Sequence, residues 1–210
     1  MKKVFILLAK SVKNKHLCIA GKEILNSGEI GAWIRPVIYP NEEIPKGIFN
    51  FNLGEIYSCE VDRLGETSYQ PENHILNDDH NWNKEESYNL PNFKYLVDKP
   101  NSLWGNYSRI SIDEAIEYNA SLYFIFLEDI KIRAISKFKN GREYKQIRLL
   151  FKYNNIEYDL PSTSIDLNNA LYNNLDINNE IELHNVYIAL SLGKEYGGYC
   201  YKLVSGYVKL

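Results

Sequence analysis

The chain has no Cys-x-x-Cys pair, no GxGxxG, no P-loop and no run near the roughly 20 apolar residues that a membrane helix needs. Only three cysteines occur, Cys18, Cys59 and Cys200. Scattered and odd in number, they make no disulfide framework and suit a reducing cytoplasm. Excess positive charge is also missing: the formal net charge is -3 and the pI about 5.9. That excludes a general nucleic-acid coat protein, whose whole surface would be basic, so any anion site must be local. The longest apolar segments, "VFILLA" and "LYFIFL", have strand length. "MKKVFILLAKSVKNK" has too short an apolar core for a signal peptide and no small-residue cleavage site, and reads as a first strand. No membrane partner and no cofactor is expected.

What is present points to sheet. Among 210 residues, 45% are hydrophobic, enough for a core, and 17 are Tyr. Val, Ile, Tyr and Phe recur in short alternating runs. The expected class is all-β with short helices. One helix should start at Ser111 as N-cap, with Glu114 completing a capping box, and another at Ser164. Asn77 to Arg109 is polar, holds Trp82 and Trp104, and keeps no period, as a connector would. Charge also divides the chain: the first 120 residues carry 13 basic and 17 acidic groups, the last 90 carry 11 and 10. The expected organisation is 1–77, a connector with a short helix over 78–120, and 121–210.

Against that acidic background, Lys131 to Lys152 hold eight Lys or Arg and one acid, Glu143. Asn140-Gly141 is a two-residue hairpin signal, since a type I′ turn needs φ > 0 at both positions. Pairing outward sets Lys139 opposite Arg142, Lys137 opposite Tyr144 and Arg133 opposite Arg148. Ala134 then faces Ile147, Ile132 faces Leu149 and Ile130 faces Phe151. One face is apolar and the other basic on both strands, and a slip of one residue would mix them. A second turn at Asn154-Asn155 places Tyr158 opposite Phe151. A helix and two strands follow, giving β-β-β-α-β-β.

That order is the order of an OB-fold, whose ligands lie on strands 2 and 3 and in the loops joining strands 1 to 2 and 4 to 5. Those loops here are "KFKNGREYK" and "GKEYGGY". Candidate nucleic-acid contacts are Lys131, Arg133, Lys137, Lys139, Arg142 and Arg148 with Tyr144, joined by Lys194, Tyr196 and Tyr199. Cations beside rings suit single-stranded DNA or RNA, or a nucleotide: charge for phosphates, and stacking worth about 1–3 kcal/mol per base. The bland alternative is a solvated outer face with edge lysines. Like charges placed opposite repel, however, at a cost that a merely solvating face avoids by mixing signs. Docking on an acidic protein partner, or on the N-terminal half, would use the same face.

"KKVFILLAKSV", "HLCIAGKEI", "AWIRPVI" and "GEIYSCEVDRL" read as four strands, with "SYQPENHIL" adding a fifth, so a second small barrel is expected. The motifs "KHLCIAG", "GAWIRPV", "GEIYSCEV", "QPEN", "SLW" and "ALSLGKEYGGYCYKLVSGYV" resemble the bacterial family of dual-OB-containing domain proteins. The resemblance spans nearly the whole chain. It implies two tandem OB-fold-like barrels and a nucleic-acid or nucleotide role, with no site residues to carry over. Within "AWIRPV", Trp33 and Arg35 share one face of a strand, as a ring beside a phosphate-pairing fork or as a buried Trp with Arg35 bonded internally. Gln70, Glu72 and Asn73 either read a base edge or satisfy their own turn.

Catalysis is the minority reading. His74, Asp78, Asp79 and His80 are dense but match no zinc spacing. Cys18 near His16 sits in an apolar run, and adjacent Lys10 and Ser11 point to opposite faces of a strand. A nucleotide-processing or base-modifying enzyme would need Lys10, His16, Trp33, Arg35 and Glu72 to converge between the two modules.

Overall fold

The computed structural model describes residues 1–13, 16–38, 42–45, 47, 49–77, 81–86 and 92–209. Thirteen strands and two short helices follow in order: β1 (Lys2–Lys13), β2 (His16–Ile24), β3 (Ile30–Val37), β4 (Ile44–Pro45), β5 (Ile56–Leu64), β6 (Asn73–Leu76), β7 (Trp82–Lys84), β8 (Arg109–Ser111), α1 (Ile112–Tyr118), β9 (Leu122–Lys139), β10 (Arg142–Tyr153), β11 (Ile156–Pro161), α2 (Ile165–Leu171), β12 (Glu180–Leu192) and β13 (Tyr199–Lys209). Among the described residues no helix is long and apolar enough to cross a membrane.

The first sheet runs β1-β2-β3-β6-β5, and β5 returns to pair with β1, closing a five-stranded barrel. Its β3–β6 pair is parallel and the other four are antiparallel. The second sheet runs β11-β10-β9-β12-β13 as a half-barrel, and β11 approaches β13 through a parallel bridge, Ser162 to Val204. Numbering the five strands within each unit gives the same cyclic order, 1-2-3-5-4-1, with strands 3 and 5 parallel. Both units therefore have the OB arrangement, and the helix expected between strands 3 and 4 of the second is α2. The connector is divided between the sheets, with β7 extending the first beside β5 and β8 extending the second beside β13.

Local chemistry explains these elements. Ser111 accepts from the Glu114 backbone N–H while the Glu114 carboxylate takes the Ser111 N–H, the reciprocal box read in the sequence. Asn140 and Gly141 have φ of 51° and 73°, the two positive values that a type I′ turn requires. Lys139 stands opposite Arg142, Arg133 opposite Arg148, and Tyr158 opposite Phe151, as the turn residues dictate.

A third hydrophobic cluster joins the barrels: Ile6 and Leu8 of β1 pack with Phe124, Tyr187 and Ala189 of the second sheet. At this seam β1 bulges at Leu8 and β13 at Ser205. A Cβ on Gly206 would lie 2.0 Å from the Leu8 carbonyl oxygen. Backbone meets backbone there, so Gly206→Ala cannot be absorbed by a side-chain shift. It should cost roughly 3 kcal/mol or more, read as a lower urea midpoint.

Lys202 of β13 is fully buried, donates to the Gly105 carbonyl at 2.7 Å and sits 5.5 Å from the Tyr158 ring centre. Burial pulls its pKa down from the ordinary lysine range to about 8, and Glu114 opposes the shift. Between pH 8 and about 10.5 the unfolded chain therefore holds a proton that the folded one has released, and this residue's contribution to stability rises with pH. Lys202→Met should gain most relative to the native protein below pH 8, with the difference shrinking toward pH 10.5 in chemical denaturation at several pH values.

Candidate functional site

The outer face of β9 and β10 is two regions. Near the barrel, Asp159 of β11 takes both arginines: Arg133 Nη2 at 2.6 Å and Arg148 Nε at 2.7 Å. Arg148 also donates to the Asp159 carbonyl and to Gln146. Across the other edge, Glu180 and Glu182 of β12 stand opposite Arg133 and Lys131. The like-charge cost of Arg133 opposite Arg148 is thus offset by acids on the two neighbouring strands, and the face there is mixed in sign.

At the tip the only acid among the described residues of the two strands is Glu143, on the row opposite the cations. Lys137 and Arg142 are exposed and have no ion pair among the described residues. Tyr144, opposite Lys137, is 39% exposed, and Phe138 is 74% exposed. The Lys139 side chain lies outside the described residues. Phe138 falls on the row that continues the core face from Ile130, Ile132 and Ala134, so the sequence pattern reads it as interior. The hairpin simply outruns the barrel that would cover it. Glu143, opposite Phe138, accepts a hydrogen bond from Ser136.

The loop between β12 and β13 does not join this tip. Leu122 pairs near the end of β12, so the loop sits at the start of β9 while the hairpin tip sits at the far end of this 18-residue strand. Lys194 pairs with Glu43 of the first barrel at 3.2 Å, and Tyr69 accepts from the Glu195 N–H at 3.5 Å. Tyr196 is 76% exposed, whereas one face of the Tyr199 ring is covered by the Arg109 guanidinium at 4.1 Å.

Trp33 and Arg35 belong to the seam rather than to an open surface. Trp33 Nε1 donates to Asp98, which also holds Lys22 at 2.6 Å and accepts from the Phe124 N–H of the second barrel. Arg35 is 3% exposed and donates to Asn73 and, at 3.0 Å, to Ser121. Ser121 in turn gives its N–H and its hydroxyl to Glu72, each at 2.7 Å. Gln70 accepts from Asn73 and donates to the Leu192 carbonyl. The "QPEN" side chains are thus spent on a buried clamp between barrels. Sequence could show that these residues are polar but not that the partners of Glu72 and Gln70 stand 49 and 122 positions away.

The family comparison agrees with this architecture: the dual OB-containing domain matches residues 3–207. The chain belongs to the dual OB-containing domain family. No curated protein and no solved structure matches it. In this dual-OB protein most of the residues an enzyme would have to bring together diverge, and only Arg35 and Glu72 meet, at the Ser121 hydroxyl. Lys10 donates to the Phe51 carbonyl and pairs with Asp166 of α2, Trp33 turns to Asp98, Glu72 turns to Ser121, and the His16 backbone pairs beside β4. Among the described residues no group of His, Cys, Asp and Glu could hold a metal. Asp78, Asp79 and His80 lie outside the described residues, and His74 Nδ1 is 2.8 Å from the Glu72 carbonyl. Burial pushes the Cys59 thiol up to about 12 and raises that of Cys200, which makes both poor nucleophiles.

Proposed function

We propose that this dual-OB protein binds single-stranded nucleic acid at the tip of the β9–β10 hairpin. Lys137, Lys139 and Arg142 contact phosphates while Tyr144, on their face, stacks on one base and Phe138, on the other face, takes a second where the strand rounds the tip. The observation that carries the reading is the exposure of unpaired cations beside Tyr144 on one face of a sheet extension, with Phe138 exposed on its other face, when the arginines nearer the barrel are already paired with Asp159. Single strands are favoured over duplex because stacking needs bases with a free face. Three phosphate contacts predict a log–log salt slope of about -2, and with so few contacts the affinity falls near the micromolar range.

Fluorescence anisotropy of labelled DNA and RNA oligonucleotides, at low and near-physiological salt, tests this. Saturable binding to single strands with that slope is expected, with duplex of the same sequence weaker. Absence of binding at low salt, or equal binding of duplex and heparin, would count against a stacking site and leave a sequence-blind polyanion surface such as an acidic protein partner would use.

A further inference from the structure

Between the barrels lies a cavity of about 230 Å³, walled by Val12 and Pro36 on one side and Leu192 and Leu203 on the other. Its volume is many times the roughly 10–15 Å³ that a single water requires. Two hydroxyls in its wall have no use in the fold. Ser11 of β1 and Ser191 of β12 are 8% and 9% exposed, both line the cavity, and neither side chain has a hydrogen-bond partner among the described residues. Both hydroxyls line the cavity, one from each barrel, so each is free to bond a ligand there in place of water. Among the other polar lining groups Thr163 donates to the Val204 carbonyl and Gln70 to that of Leu192, while Arg35 Nε is buried without a partner among the described residues.

Charge narrows the partner. Lys194 and Glu43, both in the cavity wall, already pair with each other, and Arg35 reaches Glu72 through the Ser121 hydroxyl. The formal charges of the wall are thus matched, Lys194 by Glu43 and Arg35 by Glu72 across Ser121, and the unpaired Arg35 Nε remains as a donor. The remaining requirement is an apolar body with a hydrogen-bonding edge, and a serine hydroxyl can donate or accept on such an edge.

We propose that the seam cavity binds an uncharged one- or two-ring heterocycle, the chemistry of a nucleobase, with Ser11 and Ser191 bonding its edge. The site does not depend on the hairpin reading. Its ligand is either a free base or nucleoside, or a base carried on a strand and turned out of the stack, and these sources separate experimentally.

Cys18 supplies the readout, because it lines the same cavity and is half-exposed, whereas Cys59 and Cys200 are buried. Iodoacetamide labelling of Cys18 in the full chain, followed by mass spectrometry, would be timed with adenine, uracil, the four ribonucleosides, short single-stranded oligonucleotides, and benzoate as an anionic ring. At least one uncharged heterocycle should slow labelling saturably and several-fold, and benzoate should not. Ser11→Ala and Ser191→Ala should each weaken that protection at least threefold with an unchanged melting temperature. Protection by free compounds alone assigns a small-molecule ligand; protection by oligonucleotides as well assigns a strand-borne base. Lys137→Glu with Arg142→Glu should leave protection by a free base intact even where oligonucleotide binding is lost, which separates this site from the hairpin. No protection by any heterocycle at millimolar concentration, equal protection by benzoate, or protection indifferent to both serine variants would overturn the proposal.

Discussion

Reversing the two described tip cations together, Lys137→Glu with Arg142→Glu, is expected to weaken single-stranded oligonucleotide binding roughly 10- to 100-fold at low salt and to flatten its salt dependence. Each phosphate contact on a single strand contributes about 0.7 to the slope, so losing two of three should take it from about -2 to about -0.7. The melting temperature should move by less than about 2 °C, since neither side chain is buried or paired among the described residues. The same reversal at Arg148 should behave differently. That guanidinium holds Asp159 and Gln146 from a half-buried position, so Arg148→Glu sets two carboxylates side by side and shows first in stability. A strong binding loss from Arg148→Glu without a stability loss would move the site off the tip and onto the barrel wall.

The largest stability effect is expected at Glu72. Removing this carboxylate by Glu72→Ala strips the Ser121 N–H of its acceptor and leaves Arg35, 3% exposed, with no acid joined to it. An uncompensated buried charge costs about 3–5 kcal/mol. For a chain of this size that lowers the melting temperature by on the order of 10 °C. Replacing both charges, Arg35→Met with Glu72→Met, should recover much of the loss, because an apolar pair of similar volume has no charge to desolvate. Thermal unfolding of Arg35→Met, Glu72→Met and the double variant gives the cycle. Additive losses would show that Arg35 and Glu72 do not act through Ser121.

The second barrel was legible in unusual detail because its signals are local. Asn140-Gly141 fixed the hairpin register, the alternation of Ile130, Ile132 and Ala134 with charged neighbours fixed the faces, and Ser111 and Ser164 marked the helix starts. What the sequence left hidden depends on distant strands. The acid that pairs with Arg133 and Arg148, Asp159, comes from β11, and those opposite Lys131 and Arg133 come from β12, neither of which the two-strand pattern contains. Phe138 keeps the parity of a core residue while the barrel beneath it ends, so alternation alone misplaces it. Arg35 has the composition of a surface cation on a half-exposed strand, and only the docking of the second barrel buries it. The β12–β13 loop belongs by OB analogy with the hairpin loop, yet the length of β9 sets the two apart.

The central claim is that the hairpin tip, rather than the β12–β13 loop, supplies the phosphate contacts to the strand. Photo-crosslinking of a 4-thiouridine-containing single-stranded RNA, with the attachment site mapped by peptide mass spectrometry, tests it most directly. Crosslinks to Phe138 or Tyr144, lost in the Lys137→Glu, Arg142→Glu protein, are the predicted result. Crosslinks confined to Tyr196 or to the first barrel, undiminished by that double reversal, would contradict it.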